Sequence, residues 1–206
     1  MTRGLFTQAW NWGCVAVAVS AFLTCARMDS VAAKEEDALI GSEAPEWSVT
    51  NWLNSKAFSL DDLRGKVILI RWWTGPECPY CAASVPYLNT WYEKYRNKGL
   101  VVIGFYHHKS PTPLTRSYVQ ELIKRYEVSF PVAIDPEWHT LKRWWLDEHP
   151  RAWTSVSFLI DRGGVIRYIH PGGTYAPEEA ETLESTIRSL LGIQRAASGT
   201  RRETVP

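Results

Sequence analysis

The chain has 206 residues, 45% of them hydrophobic and 22% charged, with a formal net charge of +1. That leaves room for one ordinary domain and a leader but not for two domains, and the balance excludes a disordered chain. With neither a basic block nor an acidic tail, the charge gives no support to a nucleic-acid partner.

Residues 1–33 differ from the rest. Arg3 is followed by an apolar run from Val15 to Leu23 broken only by Ser20, and Val31-Ala32-Ala33 then gives way to Lys34-Glu35-Glu36-Asp37. A basic start, an apolar stretch, small residues and a polar switch predict a secretory signal cut after Ala33. An uncleaved N-terminal membrane anchor and lipidation at Cys25 are the alternatives, the stretch being shorter than the ~20 residues of a confident span. Each places the protein outside the cytoplasm, in the periplasm or an equivalent space. Removing Arg3, Arg27 and Asp29 with the leader leaves a formally neutral body. Residues 34–39 read as a linker, 40–192 as the domain and 193–206 as a flexible polar tail.

Within the domain, Val67-Ile68-Leu69-Ile70 after Gly65-Lys66 is a continuous apolar run, the pattern of a strand buried on both faces. Residues 79–97 predict a helix opened by Pro79 and stopped before Gly99, and Leu100 to Phe105 predict the next strand; strand, helix, strand at this spacing is a parallel βαβ unit. A helix follows over 113–127, with Leu114, Tyr118, Leu122 and Tyr126 at every fourth position. Next come a strand from Phe130 to Ile134 and a short helix over 137–146 carrying Trp138, Leu141 and Trp145. Val156–Ile160 and Val165–His170 flank Asp161-Arg162-Gly163-Gly164, a hairpin turn signal. A helix over 178–191 ends at Gly192. The expected fold class is therefore α/β and thioredoxin-like: a mixed central sheet flanked by helices, with an N-terminal extension and a βα insert. Trp72, Trp73, Trp144 and Trp145 are expected in the core, because large aromatics dominate buried area in small domains.

Cleavage of the leader removes Cys14 and Cys25 and leaves two cysteines, both in Cys78-Pro79-Tyr80-Cys81. A single close pair in an exported chain is not a disulfide-stapled scaffold. Cys78 falls where a buried strand yields to a helix, so unpaired amides and the positive dipole end favour its thiolate. Cys78 is the expected nucleophile on a partner disulfide, and Cys81, one turn along and less exposed, the thiol that resolves the mixed disulfide. Structural zinc would need further ligands, which the histidine spacing does not provide, so no metal is expected. A four-residue loop removes too little chain entropy for a purely structural bridge. The redox-active disulfide itself is the only cofactor expected.

Taken in order, Gly41-Ser42-Glu43-Ala44-Pro45-Glu46-Trp47, Phe58 to Val67, Trp72-Trp73-Thr74, the cysteine pair, Pro86 five residues past Cys81, and Phe158-Leu159-Ile160-Asp161 resemble the extracytoplasmic TlpA/ResA-like thioredoxin proteins of the redoxin superfamily. The resemblance covers roughly residues 40–192. It implies a thiol–disulfide oxidoreductase, most simply a reductant or exchange protein for exported protein thiols, with Cys78 and Cys81 in the roles given above. It also implies a helix kink at Pro86 and a membrane redox protein as electron donor; a monomer is expected.

Three departures from the family pattern mark possible modulators. The turn before Cys78 is one residue longer and carries Glu77, whose carboxylate opposes the thiolate. The family's cis-proline facing the cysteines is replaced by Ser155, preceded by Thr154, which would bring a hydroxyl near the sulfurs or change partner docking. His108, beside His107, falls where some relatives carry an acidic proton carrier, and histidine has the right acidity for that work; the alternative is a pair of solvated loop histidines. Two other classes are weighed. A peroxiredoxin-type peroxidase needs threonine or serine three residues before the nucleophile and a proline further upstream, whereas Gly75 and Arg71 stand three and seven residues before Cys78. A copper-carrying protein of this fold would have Cys-x-x-x-Cys and a later histidine where Trp153 stands.

Overall fold

The computed structural model describes residues 38–47, 49–76, 78–147 and 153–193. The leader, most of the linker, Glu77 and nearly all of the polar tail lie outside the described residues. No helix of the described residues is long and apolar enough to cross a membrane.

Six strands form one sheet in the order β1-β4-β3-β2-β5-β6. The strands are β1 (Trp52–Leu53), β2 (Val67–Trp73), β3 (Leu100–His107), β4 (Val132–Asp135), β5 (Val156–Ile160) and β6 (Ile166–Pro171). Every residue of β2 is buried, as its uninterrupted apolar sequence predicts for a strand paired on both sides. β2 runs parallel to β3 and antiparallel to β5, and β3 runs parallel to β4, so the predicted mixed sheet is present. Side chains alternate across it. Val67, Leu69 and Trp73 pack on one face with the helices α1 (Pro79–Tyr95) and α4 (Pro177–Leu190). Ile68, Ile70 and Trp72 pack on the other with Phe105, Phe158, Trp144 and Trp145. All four tryptophans expected in the core are buried.

Gly104, mid-β3, makes room for this core: a Cβ there would lie 2.8 Å from Trp73 Nε1 and 3.0 Å from Phe130, inside van der Waals contact. The hairpin forms as predicted, with the Asp161 carboxylate accepting from the Gly163 and Val165 amides. Leu39, placed in the linker by composition, packs against the core, and Gly41 donates its N–H to Ile166.

Boundaries shift where local chemistry overrides periodicity. α2 spans Arg116–Arg125 and starts three residues later than its period suggests: Pro111 and Pro113 oppose an earlier start, and the Thr115 hydroxyl caps the helix by accepting from the Tyr118 amide. The helix expected over 137–146 is a short α3 (His139–Leu141) that widens into a π-turn over Lys142–Leu146. The Asp135 carboxylate at the end of β4 holds its start by accepting from the Thr140 and Leu141 amides. β1, two residues long, is too short for any period to reveal.

Candidate active site

The C-terminal end of β2 delivers the chain to α1, and the two cysteines sit at that junction. Cys78 occupies the N-cap position with Pro79 in the first turn, where a missing N–H costs nothing. Its amide donates to the Gly75 carbonyl and its carbonyl accepts from Cys81, closing the turn. Cys78 and Cys81 are joined by a disulfide, their Cα atoms 5.4 Å apart. Cys78 is half-buried, whereas Cys81 is fully buried. Pro86 lies inside the continuous helix α1 on its exposed side, where the ring removes one backbone donor.

Ser155 lies directly against the sulfurs. Its Oγ is 3.0 Å from Cys81 Sγ and 3.8 Å from Cys78 Sγ. The family's proline position is thus filled by a hydroxyl that donates to the disulfide and would donate to a thiolate. No cis peptide bond occurs among the described residues. The Ser155 carbonyl accepts from Gly172 at 2.8 Å, and the following Gly173 abuts Tyr80: a Cβ on Gly173 would collide with the Tyr80 Cβ. The loop after β6 therefore touches both halves of the site. Tyr80 and Trp153 leave large aromatic surfaces exposed, at 63% and 61%.

The two histidines separate. His107 ends β3 fully buried, so the expectation of a solvated pair is wrong for it: strand alternation turns its ring onto Trp138, and its Nε2 lies 3.1 Å from Thr154 Oγ1. Burial, with Lys109 and Arg71 adding positive charge, pushes its pKa down to about 3, so it is neutral at physiological pH. His108 is only partly buried. Its Nε2 donates to the Thr112 carbonyl at 2.6 Å and its Nδ1 accepts from Tyr106 OH at 2.9 Å, so both nitrogens are engaged away from the sulfurs. Thr154 is thus linked to His107 and Ser155 to the cysteines. Glu77 lies outside the described residues.

Sequence reasoning missed a buried polar cluster beside this site. Arg71, fully buried in β2, donates from Nη1 to Ser157 Oγ at 3.1 Å, and its guanidinium carbon lies 5.5 Å from the Tyr175 ring centre. Ser157 Oγ is 2.6 Å from Tyr175 OH. His170, facing Ser157 across the β5–β6 pair, donates from Nε2 to Glu179 at 3.0 Å. The one available signal was a single cation inside the apolar run from Val67 to Trp73.

The Redoxin family model matches residues 39–187. The chain is 35% identical over 133 residues to the thiol-disulfide oxidoreductase ResA of Bacillus thuringiensis subsp. konkukian, covering 65% of this chain and 70% of that one. It is 32% identical over 147 residues to the protein DipZ of Mycobacterium bovis, covering 69% of this chain but 20% of that much longer one. A crystal structure from Chlorobium tepidum assigned as a thiol:disulfide interchange protein DsbE superposes with a TM-score of 0.61 at 27% identity, over 74% of this chain and 98% of that one.

Proposed function

The chain belongs to the Redoxin family and is a thiol–disulfide oxidoreductase, and from that premise we propose that it exchanges disulfides with cysteine pairs of exported proteins, as their reductant. The observation that carries this reading is the Cys78–Cys81 disulfide at the N-terminus of α1, with one sulfur reachable and the other buried under Ser155.

In the reduced protein, Cys78 at the helix end holds its thiolate against the unpaired amides and dipole. It attacks a partner disulfide, forming one S–S bond and expelling one partner thiolate. Cys81 then attacks Cys78 Sγ, closes the internal disulfide and releases the second partner sulfur. The partner gains two electrons and the Cys78–Cys81 pair loses them. A membrane dithiol protein outside the cytoplasm would restore the reduced pair. The leader sequence supports that compartment, and the exposed rings of Tyr80 and Trp153 suit contact with a protein partner. The protein is proposed to act as a monomer.

The test is a trap. Cys81→Ser in the full chain removes the resolving thiol, so partner proteins should accumulate as covalent adducts released by dithiothreitol and located in the exported fraction. Cys78→Ser should give none. Absence of reducible adducts with Cys81→Ser would overturn the reading.

A further inference from the structure

Cys81 is fully buried, yet both directions of exchange place negative charge on it. It attacks as a thiolate when a mixed disulfide resolves, and it leaves as a thiolate when an incoming dithiol attacks Cys78. A buried anion without compensation is costly. The hydroxyl of Ser155 supplies one donor. Among the described residues, Ser155 alone hydrogen-bonds to the sulfurs, and no carboxylate or histidine nitrogen does.

Arg71 is the opposite case: a cation without an anion. It is fully buried, its Nε and Nη2 have no hydrogen-bond partner among the described residues, and no carboxylate pairs with it there. β-strand alternation turns it to the sheet face that carries Cys81 and α1. Its partner Ser157 is two residues from Ser155, about 7 Å along the strand. The other ionisable groups around it do not pair with it. Burial pushes His107 and His170 down, with Arg71 adding to the effect, and burial pushes Tyr175 up. Glu179 is committed to the Ala176 amide at 2.7 Å and to His170. Tyr168, on β6, is likewise raised by burial.

We propose that Arg71 is the fixed counter-charge of the Cys81 thiolate, a positioning residue that stabilises the reduced pair without accepting a proton. This rests on Cys78–Cys81 being the cycling pair. Opening that disulfide takes two electrons from an incoming dithiol, whose own sulfurs close into a disulfide. Of the two protons the dithiol gives up, one remains on the Cys78–Cys81 pair and one goes to solvent, leaving one thiol and one negative charge, which Cys78 holds at the helix end and Cys81 holds when it leaves or attacks. Favouring the thiolate favours the reduced form, so Arg71 moves the couple toward the oxidising side and makes the protein a milder reductant than a neutral residue would. At this position lysine keeps the charge, whereas methionine keeps the bulk and loses it.

The experiment equilibrates the full-length protein, Arg71→Met and Arg71→Lys with glutathione across pH 5–9, reading the Cys78–Cys81 state by alkylation and peptide mass. Arg71→Met should shift the equilibrium about tenfold or more toward the disulfide at pH 7, which is ~30 mV for two electrons. It should also move the onset of thiolate formation to higher pH, while Arg71→Lys stays close to the native protein. A folded Arg71→Met with unchanged equilibrium and pH profile would reduce Arg71 to a structural anchor and overturn the proposal. If Arg71→Met does not fold, alkylation of Cys81 in Cys78→Ser decides: thiolate formation at Cys81 below the free-cysteine range of about 8.5 is required, and an onset above it overturns the proposal. A pair that cycles normally without dependence on Arg71 defeats this inference alone. A pair that does not cycle defeats the proposed function as well.

Discussion

Ser155 is the described side chain whose hydroxyl reaches both sulfurs of the pair. A proline at this position would offer the sulfurs no donor, whereas the serine hydroxyl sits 3.0 Å from Cys81. Hydrogen bonding favours the more charged acceptor, so the hydroxyl stabilises the reduced pair more than the disulfide. Ser155→Ala should therefore shift the glutathione equilibrium toward the disulfide by about 1 kcal/mol, roughly fivefold. An unchanged equilibrium constant in a folded Ser155→Ala protein would show that the contact carries no differential energy. Thr154, next to it, faces the other way and is tied to His107. Two adjacent hydroxyl residues thus serve different faces of the sheet, a consequence of strand alternation at the start of β5.

At the scale of elements, the site is assembled from three chain segments: the β2–α1 junction, the approach to β5 and the loop after β6. The third holds the other two together through the Gly172 amide on Ser155 and the Gly173 backbone against Tyr80. A methyl group on Gly173 has nowhere to go, since the clash is with the Cβ and backbone of Tyr80 rather than a flexible tip. Gly173→Ala should cost about 1–3 kcal/mol by overpacking and slow exchange by displacing the Cys78–Cys81 turn. Denaturant midpoints and insulin reduction rates measured together check this; native values for both would show that the loop yields freely. The same segments explain how legible the site was. Cys78 and Cys81 announce themselves by spacing, and their place at a helix start follows from the apolar run and Pro79. Gly173 gave no comparable signal, because its partner is more than ninety residues away in the chain.

For the whole molecule, the buried histidines make stability depend on pH. His107 has its pKa pushed down to about 3, from an ordinary value of 6.5. Between those values the unfolded chain binds the proton that the folded chain refuses, so stability falls as pH drops through 6.5 toward 3. The loss from His107 should reach about 2 kcal/mol at pH 5. His170, lowered chiefly by burial, acts in the same direction. Urea midpoints at pH 7 and pH 5 should show this fall, and His107→Gln should lose less over the same interval. Equal losses in both proteins would remove His107 as the cause. Exchange activity between pH 6 and 8, by contrast, should carry no signature of His107, which stays neutral throughout.

The sequence by itself determined the α/β class, the central strand, the helix behind the cysteines, the hairpin and the redox pair, because each rests on local periodicity or spacing. It also marked Ser155 as the residue opposite the sulfurs, since that position could be counted back from Phe158-Leu159-Ile160-Asp161. Only the tertiary structure separated His107 from His108, one buried at the end of β3 and the other engaged by Tyr106 and Thr112. Only it showed that Arg71 is enclosed without a carboxylate partner among the described residues, beside Ser157 and Tyr175. The reason is physical: a side chain's charge state and partners depend on what packs against it from distant segments, and neither the period of a strand nor the spacing of a motif carries that information.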